Sequence, residues 1–156
     1  MDGDEHPHGE AKKRRRPTPQ ELAEGLVTLL DVEEIDVDLY RGPRNPGGRG
    51  RVFGGQVIAQ ALMSAVGSVE PERVVHSLHA YFMRPGDEDF PIIYRVERDY
   101  DGGSFSNRRV IAMQRGKPIL NMTASFQRKE KGLEHQVEMP DVPAPDDLPS
   151  EAEIFQ

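Results

Sequence analysis

A single apolar segment, residues 54–69, constrains the fold more than any other part of the chain. Its apolar residues recur at helical spacing around much of the circumference, and small residues occupy most of the remainder. A helix that is apolar over so wide an arc is enclosed by other elements. Its polar exceptions, Gln56 and Gln60, are four positions apart and therefore share one face. The pattern predicts a long, enclosed helix that begins at two glycines, Gly54 and Gly55.

Four runs typical of β-strands follow this segment, over residues 74–84, 92–99, 104–114 and 118–127. Short turns that contain glycine separate them, which favours antiparallel pairing. One long helix followed by an antiparallel sheet large enough to wrap it is an α+β architecture. We therefore predict a hot-dog fold, with the sheet wrapped around one long central helix.

Two shorter elements precede the central helix. Thr18 and Glu21 have the spacing of a helix capping box, Pro19 suits the first helical position, and leucines follow at helical spacing. Apolar residues that alternate with Asp36 and Asp38 predict a half-buried strand over residues 35–39. Residues 41–51 combine glycine, proline and four arginines, and are typical of a loop.

The apolar residues of this 156-residue chain are concentrated between about residues 52 and 127. Residues 1–17 contain a basic run and almost nothing to bury, and residues 129–156 are acidic and rich in proline. Neither end buries enough apolar surface to offset the entropy of ordering. We predict a disordered tail over 1–17, one domain over 18–128, and a linker or tail over 129–156. A core this small is marginal alone, so a partner surface is expected.

Charge and composition exclude several classes of protein. Acidic residues outnumber basic ones by 27 to 20, for a net charge of −7, so no nucleic-acid partner is expected. The absence of cysteine rules out disulfides, thiolate metal sites and cysteine nucleophiles. No apolar run approaches the roughly 20 residues of a membrane span, and the N-terminus lacks the apolar stretch of a signal peptide. We expect a cytoplasmic protein with no membrane partner, metal or other cofactor.

Candidate chemical groups are few, because G-x-S-x-G, Walker A and G-x-G-x-x-G motifs are all missing from the sequence. His76 and His79 are three positions apart on a predicted strand, so we expect them on opposite faces, unable to share a metal ion. A histidine that faces the helix beside Gln56 or Gln60 could orient a water molecule or hold a carbonyl. The alternative is one core histidine and one surface histidine.

The glycine pair at the helix start also admits two interpretations. Free N–H groups at a helix N-terminus can stabilise an oxyanion that forms on a carbonyl. Alternatively, Gly54 and Gly55 only permit tight packing of the helix against the sheet. Four arginines in the preceding loop could meet the phosphates of a nucleotide-bearing substrate, namely Arg41, Arg44, Arg49 and Arg51.

Several long segments, in order, resemble the acyl-CoA thioesterase II family from about Leu22 to the C-terminus. The matching motifs are VFGGQV at 52–57, VHSLHAYFMRPGD at 75–87, PIIY at 91–94, GSFS at 103–106, GKPI at 116–119 and TASFQ at 123–127. EHQ at 134–136 and PAPDDLPS at 143–150 are similar to the linker of the family. The resemblance implies a hot-dog thioesterase of fatty acid and lipid metabolism, which hydrolyses fatty acyl-CoA to a free fatty acid and coenzyme A.

The same resemblance implies that the chain corresponds to the N-terminal hot-dog repeat only. Members of the family carry two repeats, and their catalytic Asp, Gln and Ser/Thr lie in the second one. None of those three residues is therefore carried over onto this sequence, whereas His76 matches a histidine of the family motif. If this half acts alone, we predict His76 and Gln56 as its catalytic residues. We predict a substrate-binding group of Gly54, Gly55, Gln60, His79 and Arg84.

Two hypotheses follow for the function. In the first, the chain is the N-terminal repeat of an acyl-CoA thioesterase, in which water attacks the thioester carbonyl directly. In the second, it is a non-catalytic module that binds acyl-CoA or assembles, as a homo-oligomer or with a second hot-dog repeat, since an isolated sheet exposes an edge strand. A hot-dog hydratase is disfavoured, because the short Asp/His motif of such enzymes is not found.

Overall fold

A computed structural model describes residues 15–44 and 50–155 of the chain. Its helices are α1 Pro19–Leu30, α2 Gly54–Val66 and α3 Glu151–Ile154, with a 3-10 turn at Pro145–Asp147. Its strands are β1 Glu33–Asp36, β2 Leu39–Gly42, β3 Arg73–Phe82, β4 Ile92–Asp101, β5 Phe105–Gln114 and β6 Lys117–Arg128. Within these residues no helix has the length and apolar character needed to cross a membrane.

The six strands form one antiparallel sheet in the order β1-β2-β4-β5-β6-β3. Short turns join β4 to β5 and β5 to β6, so the predicted antiparallel pairing of these successive strands is confirmed. The β5–β6 turn places Arg115 and Gly116 at positive φ, where glycine is favourable. β3 is the exception, because it pairs with β6 and not with the next strand in the chain. β3 therefore forms one edge of the sheet.

α2 lies on one face of the sheet and packs mainly against β4, β5 and β6. Val57, Ala61 and Ala65 of α2 are buried in one core with inward side chains of the strands, such as Val110 and Leu120. Removing these apolar groups from water supplies the main driving force for folding. The predicted architecture, an antiparallel sheet packed around one long helix, is confirmed.

α2 is shorter and less enclosed than predicted. It ends at Val66 and not at residue 69. Met63 and Val66 are each 39% exposed, whereas the polar Gln56 and Gln60 are buried. The buried face of α2 therefore contains polar as well as apolar residues, unlike that of an ordinary amphipathic surface helix. The sheet covers only one side of α2, which leaves part of its apolar surface open.

The strand predicted over residues 35–39 is interrupted: residues 35–36 belong to β1 and Leu39 begins β2. Val37 and Asp38 form a turn between β1 and β2, and Asp38 has a φ of 57°. The Asp38 carboxylate accepts hydrogen bonds of 2.8 and 2.9 Å from Arg98, and its carbonyl accepts one from Val96. These partners come from β4, so a pattern within the segment itself does not reveal them.

The predicted start of α1 is confirmed. The Glu21 N–H donates to the Thr18 hydroxyl at 3.2 Å, and the Thr18 N–H donates to the Glu21 carboxylate at 2.7 Å. This capping box satisfies N–H groups that have no partner within the helix. α1 contacts α2, with Leu29 and Leu30 half-buried and Leu22 exposed.

The two predicted tails are described only in part. Most of residues 1–17 lie outside the described residues, including the first three residues of the basic run at 12–16. Residues 129–155 are exposed, and their regular structure is limited to the 3-10 turn and α3. The boundaries of the domain at 18 and 128 remain predictions.

Candidate functional site

The N-terminus of α2 presents backbone N–H groups beside two exposed aromatic rings. Phe53 is the N-cap, and no side chain caps the helix there. Gln56 is the first residue of α2 with a helical N–H bond, at 3.1 Å to the Phe53 carbonyl. The N–H groups of Gly54 and Gly55 precede it and have no acceptor within the helix. Phe53 and Phe82 are 78% and 54% exposed beside this helix start.

Close packing also favours a glycine at this position. A Cβ atom on Gly54 would lie 3.0 Å from Cζ of Phe82, which is tighter than an ordinary contact. The two interpretations of the glycine pair therefore coexist, since the same helix start packs against β3 and leaves N–H groups open. This is the point in the described residues where a carbonyl oxygen could meet paired donors.

Gln60 is fully buried and connects three parts of the fold. Its Nε2 group donates to the Leu29 carbonyl at 2.7 Å and to the Pro43 carbonyl at 3.2 Å. Its Oε1 accepts a 2.7 Å hydrogen bond from the Tyr94 hydroxyl, and burial raises the pKa of that hydroxyl far above its ordinary value. Gln56 lies one turn earlier, and its side chain makes one hydrogen bond among the described residues, 3.4 Å long, to the Pro43 carbonyl. The amide of Gln60 is thus engaged by the protein itself, and that of Gln56 is held only weakly.

Substituting Gly42 by alanine should lower the free energy of unfolding by about 1–3 kcal/mol, the usual cost of overpacking. The added Cβ would lie 2.4 Å from Oε1 of Gln60 and 2.8 Å from the Tyr94 ring, and both side chains are held in place by their mutual hydrogen bond. Urea unfolding followed by circular dichroism measures the change. Gly25→Ala is the matched control, because nothing lies within 4 Å of that site. Equal unfolding midpoints for Gly42→Ala and the unmodified chain would contradict this account.

The expectation that His76 and His79 lie on opposite faces is wrong. Val75 pairs with Phe126 and Ser77 pairs with Ser125, so His76 is the extra residue of a β-bulge. The bulge shifts the alternation by one position. Residues directly opposite in a sheet share a face, and His79 lies opposite the exposed Thr123. Both histidines therefore lie on the outer face, away from α2.

The two histidines make separate contacts on that outer face. His76 Nε2 is 2.9 Å from the Ser125 hydroxyl, and the His76 ring meets the Phe105 ring edge-on at 5.9 Å. The ring of His79 meets Tyr81 edge-on at 4.6 Å. Among the described residues no hydrogen bond joins either histidine to Gln56 or Gln60. The structure thus does not bring the predicted catalytic pair, His76 and Gln56, into direct contact.

Arg84 lies at the mouth of a cleft of about 460 Å³ next to the β5–β6 turn. Its Nη1 donates to the Pro118 carbonyl at 2.8 Å. Arg115 and Lys117 line the same cleft, together with the carboxylate-bearing Asp87. Of the loop arginines, Arg41 pairs with Glu33, Arg44 donates to the Asp89 carbonyl, and Arg49 lies outside the described residues.

Sequence reasoning missed two buried arginines, Arg73 and Arg108. Their side chains are only 6% and 1% exposed. A signal for Arg108 was available, because it alternates with Ser106 and Val110, which occupy inward positions of β5. No comparable pattern marks Arg73, which begins the edge strand.

The α2-facing side of β3 is exposed and apolar. Val75 and Leu78 lie opposite the inward residues Phe126 and Ala124, yet they are 37% and 41% exposed. Phe82 extends this surface to the N-terminus of α2. Exposed apolar surface along an unpaired strand edge is typical of a site of association.

Comparisons with known proteins support the same fold over most of the chain. The family model described as "Acyl-CoA thioesterase N-terminal domain" matches residues 40–127. Acyl-CoA thioesterase 2 of Haemophilus influenzae is 46% identical over 136 residues, which cover 87% of this chain and 48% of that protein. The chain spans about half the length of the curated relatives it matches.

Two solved structures superpose on most of this chain. An acyl-CoA thioesterase II from Mycobacterium marinum superposes with a TM-score of 0.70 at 49% identity, covering 80% of this chain and 47% of that one. A hot-dog protein of unknown function from Alicyclobacillus acidocaldarius superposes with a TM-score of 0.64 at 25% identity, over 80% of this chain and 48% of that one. The predicted hot-dog fold is confirmed. The chain belongs to the acyl-CoA thioesterase family, and its matched part corresponds to the N-terminal domain of that family.

Proposed function

We propose that this chain acts as the N-terminal repeat of an acyl-CoA thioesterase, which uses water to hydrolyse a fatty acyl-CoA to a free fatty acid and coenzyme A. The family match over residues 40–127 carries this proposal, because it includes α2 and the four long strands. Relatives of about twice the length bear the name acyl-CoA thioesterase. Their activity is the basis for assigning this reaction to the assembled protein.

The open side of β3 supports a second hot-dog repeat as the partner. β3 has ten residues and, within residues 15–44 and 50–155, pairs on one side only. A strand added at this edge would satisfy its free backbone groups, and the partner would cover Leu78 and Phe82. It would also cover the open side of α2 at Met63, which the sheet leaves exposed. The partner is either a repeat of the same longer chain or a second copy of this one.

The chemistry of the proposed site centres on the N-terminus of α2. The N–H groups of Gly54 and Gly55 would donate to the thioester oxygen as it gains negative charge, with the positive end of the helix dipole behind them. Phe53 and Phe82 would provide apolar walls for the first carbons of the acyl chain. The cationic cleft at Arg84 would contact coenzyme A phosphates.

The water-activating base in this scheme comes from the second repeat. The first turn of α2 contains no acidic residue, and Gln56 is an amide, which can orient a water molecule but cannot deprotonate it. His76 lies on the other face of the sheet, so a direct role requires the substrate to reach that face. We expect His76→Ala to leave acyl-CoA hydrolysis by the assembly unchanged, and a large loss of kcat would restore His76 as a catalytic candidate.

A second candidate function is a non-catalytic module that binds acyl-CoA or only assembles. The hydrogen bonds of Gln60 with Tyr94, Leu29 and Pro43 favour this second function. Because the Gln60 amide is already bonded within the protein, it cannot make the polar contact with a substrate that the sequence predicted. In this case the chain contributes only contact surface and backbone N–H donors. Every side chain that gains or loses a proton during hydrolysis belongs to another repeat or another chain.

The two functions are distinguished by the rate of acyl-CoA hydrolysis, measured for the chain alone and for the chain together with a second repeat. The chain alone should hydrolyse a medium-chain acyl-CoA no faster than buffer, and addition of the C-terminal repeat of a close relative should restore turnover. Release of free coenzyme A, detected with a thiol reagent, measures both rates. An inactive assembly would contradict the thioesterase proposal, and an active isolated chain would contradict the need for a second repeat.

A further inference from the structure

The C-terminal segment, residues 129–155, leaves the domain at the edge of the sheet that β3 forms. β6 ends at Arg128, which pairs with Arg73 at the start of β3. The Ser104 hydroxyl donates a 2.5 Å hydrogen bond to Glu130. Within the described residues no other hydrogen bond or ion pair joins the C-terminal segment to the domain, and all of its residues are exposed. The C-terminal segment therefore begins at the free edge of β3 and continues without packing against its own domain.

Composition distinguishes the C-terminal segment from an ordinary flexible linker. It contains eight acidic residues, two lysines and four prolines. Large apolar side chains lie among them, and Leu133, Val137 and Met139 are each at least 75% exposed. Flexible linkers are rich in glycine and serine, whereas exposed apolar side chains with a polar rim are typical of an interaction site. Proline restricts the unbound chain, so less conformational entropy is lost when such a segment binds.

The cationic cleft beside Arg84 lies at the opposite end of β3 from the start of the C-terminal segment. Arg84 comes shortly after β3, and Arg115 and Lys117 come from the β5–β6 turn. Arg84 donates to the Pro118 carbonyl, and the Arg115 guanidinium lies 4.9 Å from the centre of the Phe90 ring. None of the three cations forms an ion pair within the part of the chain that the structure describes. Their charges are therefore available to an anionic group.

One carboxylate, that of Asp87, lines the same cleft. One of its oxygens accepts a 2.9 Å hydrogen bond from the Asp89 N–H, so it is engaged within its own loop. Three cations against one carboxylate leave the cationic cleft with an excess of positive charge. Pro85 and Ile119 add apolar surface to its walls. The cleft thus matches a segment that carries both carboxylates and apolar side chains.

Two copies that pair through their β3 edges bring these two features together. A two-fold axis that keeps both α2 helices on one face of the joined sheet makes the paired strands antiparallel. The start of β3 in one copy then lies beside the end of β3 in the other. The C-terminal segment and the cleft of the other copy are separated by three strand spacings, about 14 Å. About five extended residues span that distance, which brings Glu134 and Glu138 to the cleft.

We propose that the C-terminal segment of one copy binds the cationic cleft of a second copy, in a contact made twice per pair. The proposal rests on the proposed pairing at the β3 edge. Glu134 and Glu138 meet Arg115 and Lys117 of the second copy, and Val137 packs against the apolar wall of the cleft. Coenzyme A phosphates would use the same cleft, so this contact belongs to the pair without bound acyl-CoA.

Charge reversal tests the proposal by sedimentation equilibrium of the full chain. We expect Glu134→Lys/Glu138→Lys to dimerise at least roughly tenfold more weakly, because attraction becomes repulsion at both symmetric contacts. Arg115→Glu/Lys117→Glu should weaken dimerisation in the same way. All four changes combined in one chain should restore it, a result that a disturbed fold does not produce.

Glu24→Lys/Glu34→Lys is the matched control, because it changes the net charge equally on exposed residues of α1 and β1. It should dimerise like the unmodified chain. Carbodiimide coupling of an equal mixture of isotope-labelled and unlabelled chains reports the contact directly. The reagent joins a carboxylate to the Lys117 amine as an amide, with loss of water. We expect a coupled peptide that joins Glu134 or Glu138 to Lys117 and contains one labelled and one unlabelled part.

The proposal is overturned if the full chain stays monomeric at all concentrations, or if Glu134→Lys/Glu138→Lys dimerises as tightly as the control. It is also overturned if no such coupled peptide forms, or if both parts of every coupled peptide come from the same chain. If a variant does not fold by circular dichroism, coupling of the unmodified chain decides alone. None of these measurements involves acyl-CoA hydrolysis, so this contact and the thioesterase proposal can fail separately.

Discussion

Replacing Gln60 by leucine should lower the free energy of unfolding by about 3 kcal/mol or more. The Leu29 carbonyl and the Tyr94 hydroxyl lose the partner that Gln60 provides, and the Pro43 carbonyl keeps only the 3.4 Å hydrogen bond from Gln56. Each buried polar group left unsatisfied costs roughly 1–3 kcal/mol. Since small domains have a total stability of only about 5–15 kcal/mol, this single change removes a large part of it. Chemical denaturation monitored by circular dichroism measures the effect.

Gln56→Leu is the matched control for that experiment. The residue is on the same helix, one turn earlier, and the only hydrogen bond of its side chain among the described residues is 3.4 Å long. We expect a change below about 1 kcal/mol there. A Tyr94→Phe variant and the double variant complete a thermodynamic cycle, in which the two changes should be clearly non-additive. If Gln60→Leu and Gln56→Leu have the same free energy of unfolding, the hydrogen bonds of Gln60 contribute little to stability.

The second large effect is expected at the edge strand. Leu78→Lys should leave the isolated chain folded, because Leu78 is already 41% exposed. In the assembly the new ammonium group would be buried without a partner, which costs about 3 kcal/mol and corresponds to a roughly hundredfold weaker association. Acyl-CoA hydrolysis by the assembly should fall in parallel at limiting concentrations. Sedimentation velocity with the second repeat, alongside coenzyme A release, measures both quantities.

An exposed leucine on a different element provides the comparison. Leu26→Lys introduces the same charge on α1, where Leu26 is 56% exposed, and should affect neither association nor hydrolysis. If Leu78→Lys assembles and turns over substrate like Leu26→Lys, β3 is not the contact surface and another face of the domain must be sought.

Local signals in the sequence were sufficient for elements whose stabilising contacts are local. The capping box of Thr18 and Glu21 involves residues three positions apart, so its spacing alone located the start of α1. Glycine-containing turns likewise separated β4, β5 and β6 close to their observed ends. The start of α2 at Gly54 was likewise located by a local feature, the glycine pair that precedes the apolar helical pattern.

The errors concern contacts between residues that are far apart in the chain. The turn at Asp38 depends on Arg98, sixty positions later. The bulge at His76 exists only in relation to β6, so no pattern within β3 shows that it shifts the alternation. Similarly, the burial of Gln60 depends on Tyr94 and on the end of α1. For the candidate site, the sequence located the glycine pair but not the side chains that surround it.

The position of β3 at the edge of the sheet has a consequence for the order of folding. Val75 of β3 pairs with Phe126 of β6, fifty-one positions later. During synthesis β3 therefore leaves the ribosome well before β6, its only partner strand among the described residues. Contacts this distant in sequence form slowly. Until β6 arrives, both edges of an apolar strand are unpaired and open to aggregation. A nascent chain released before residue 117 would retain that hazard, so β6 protects β3, the first of the four long strands.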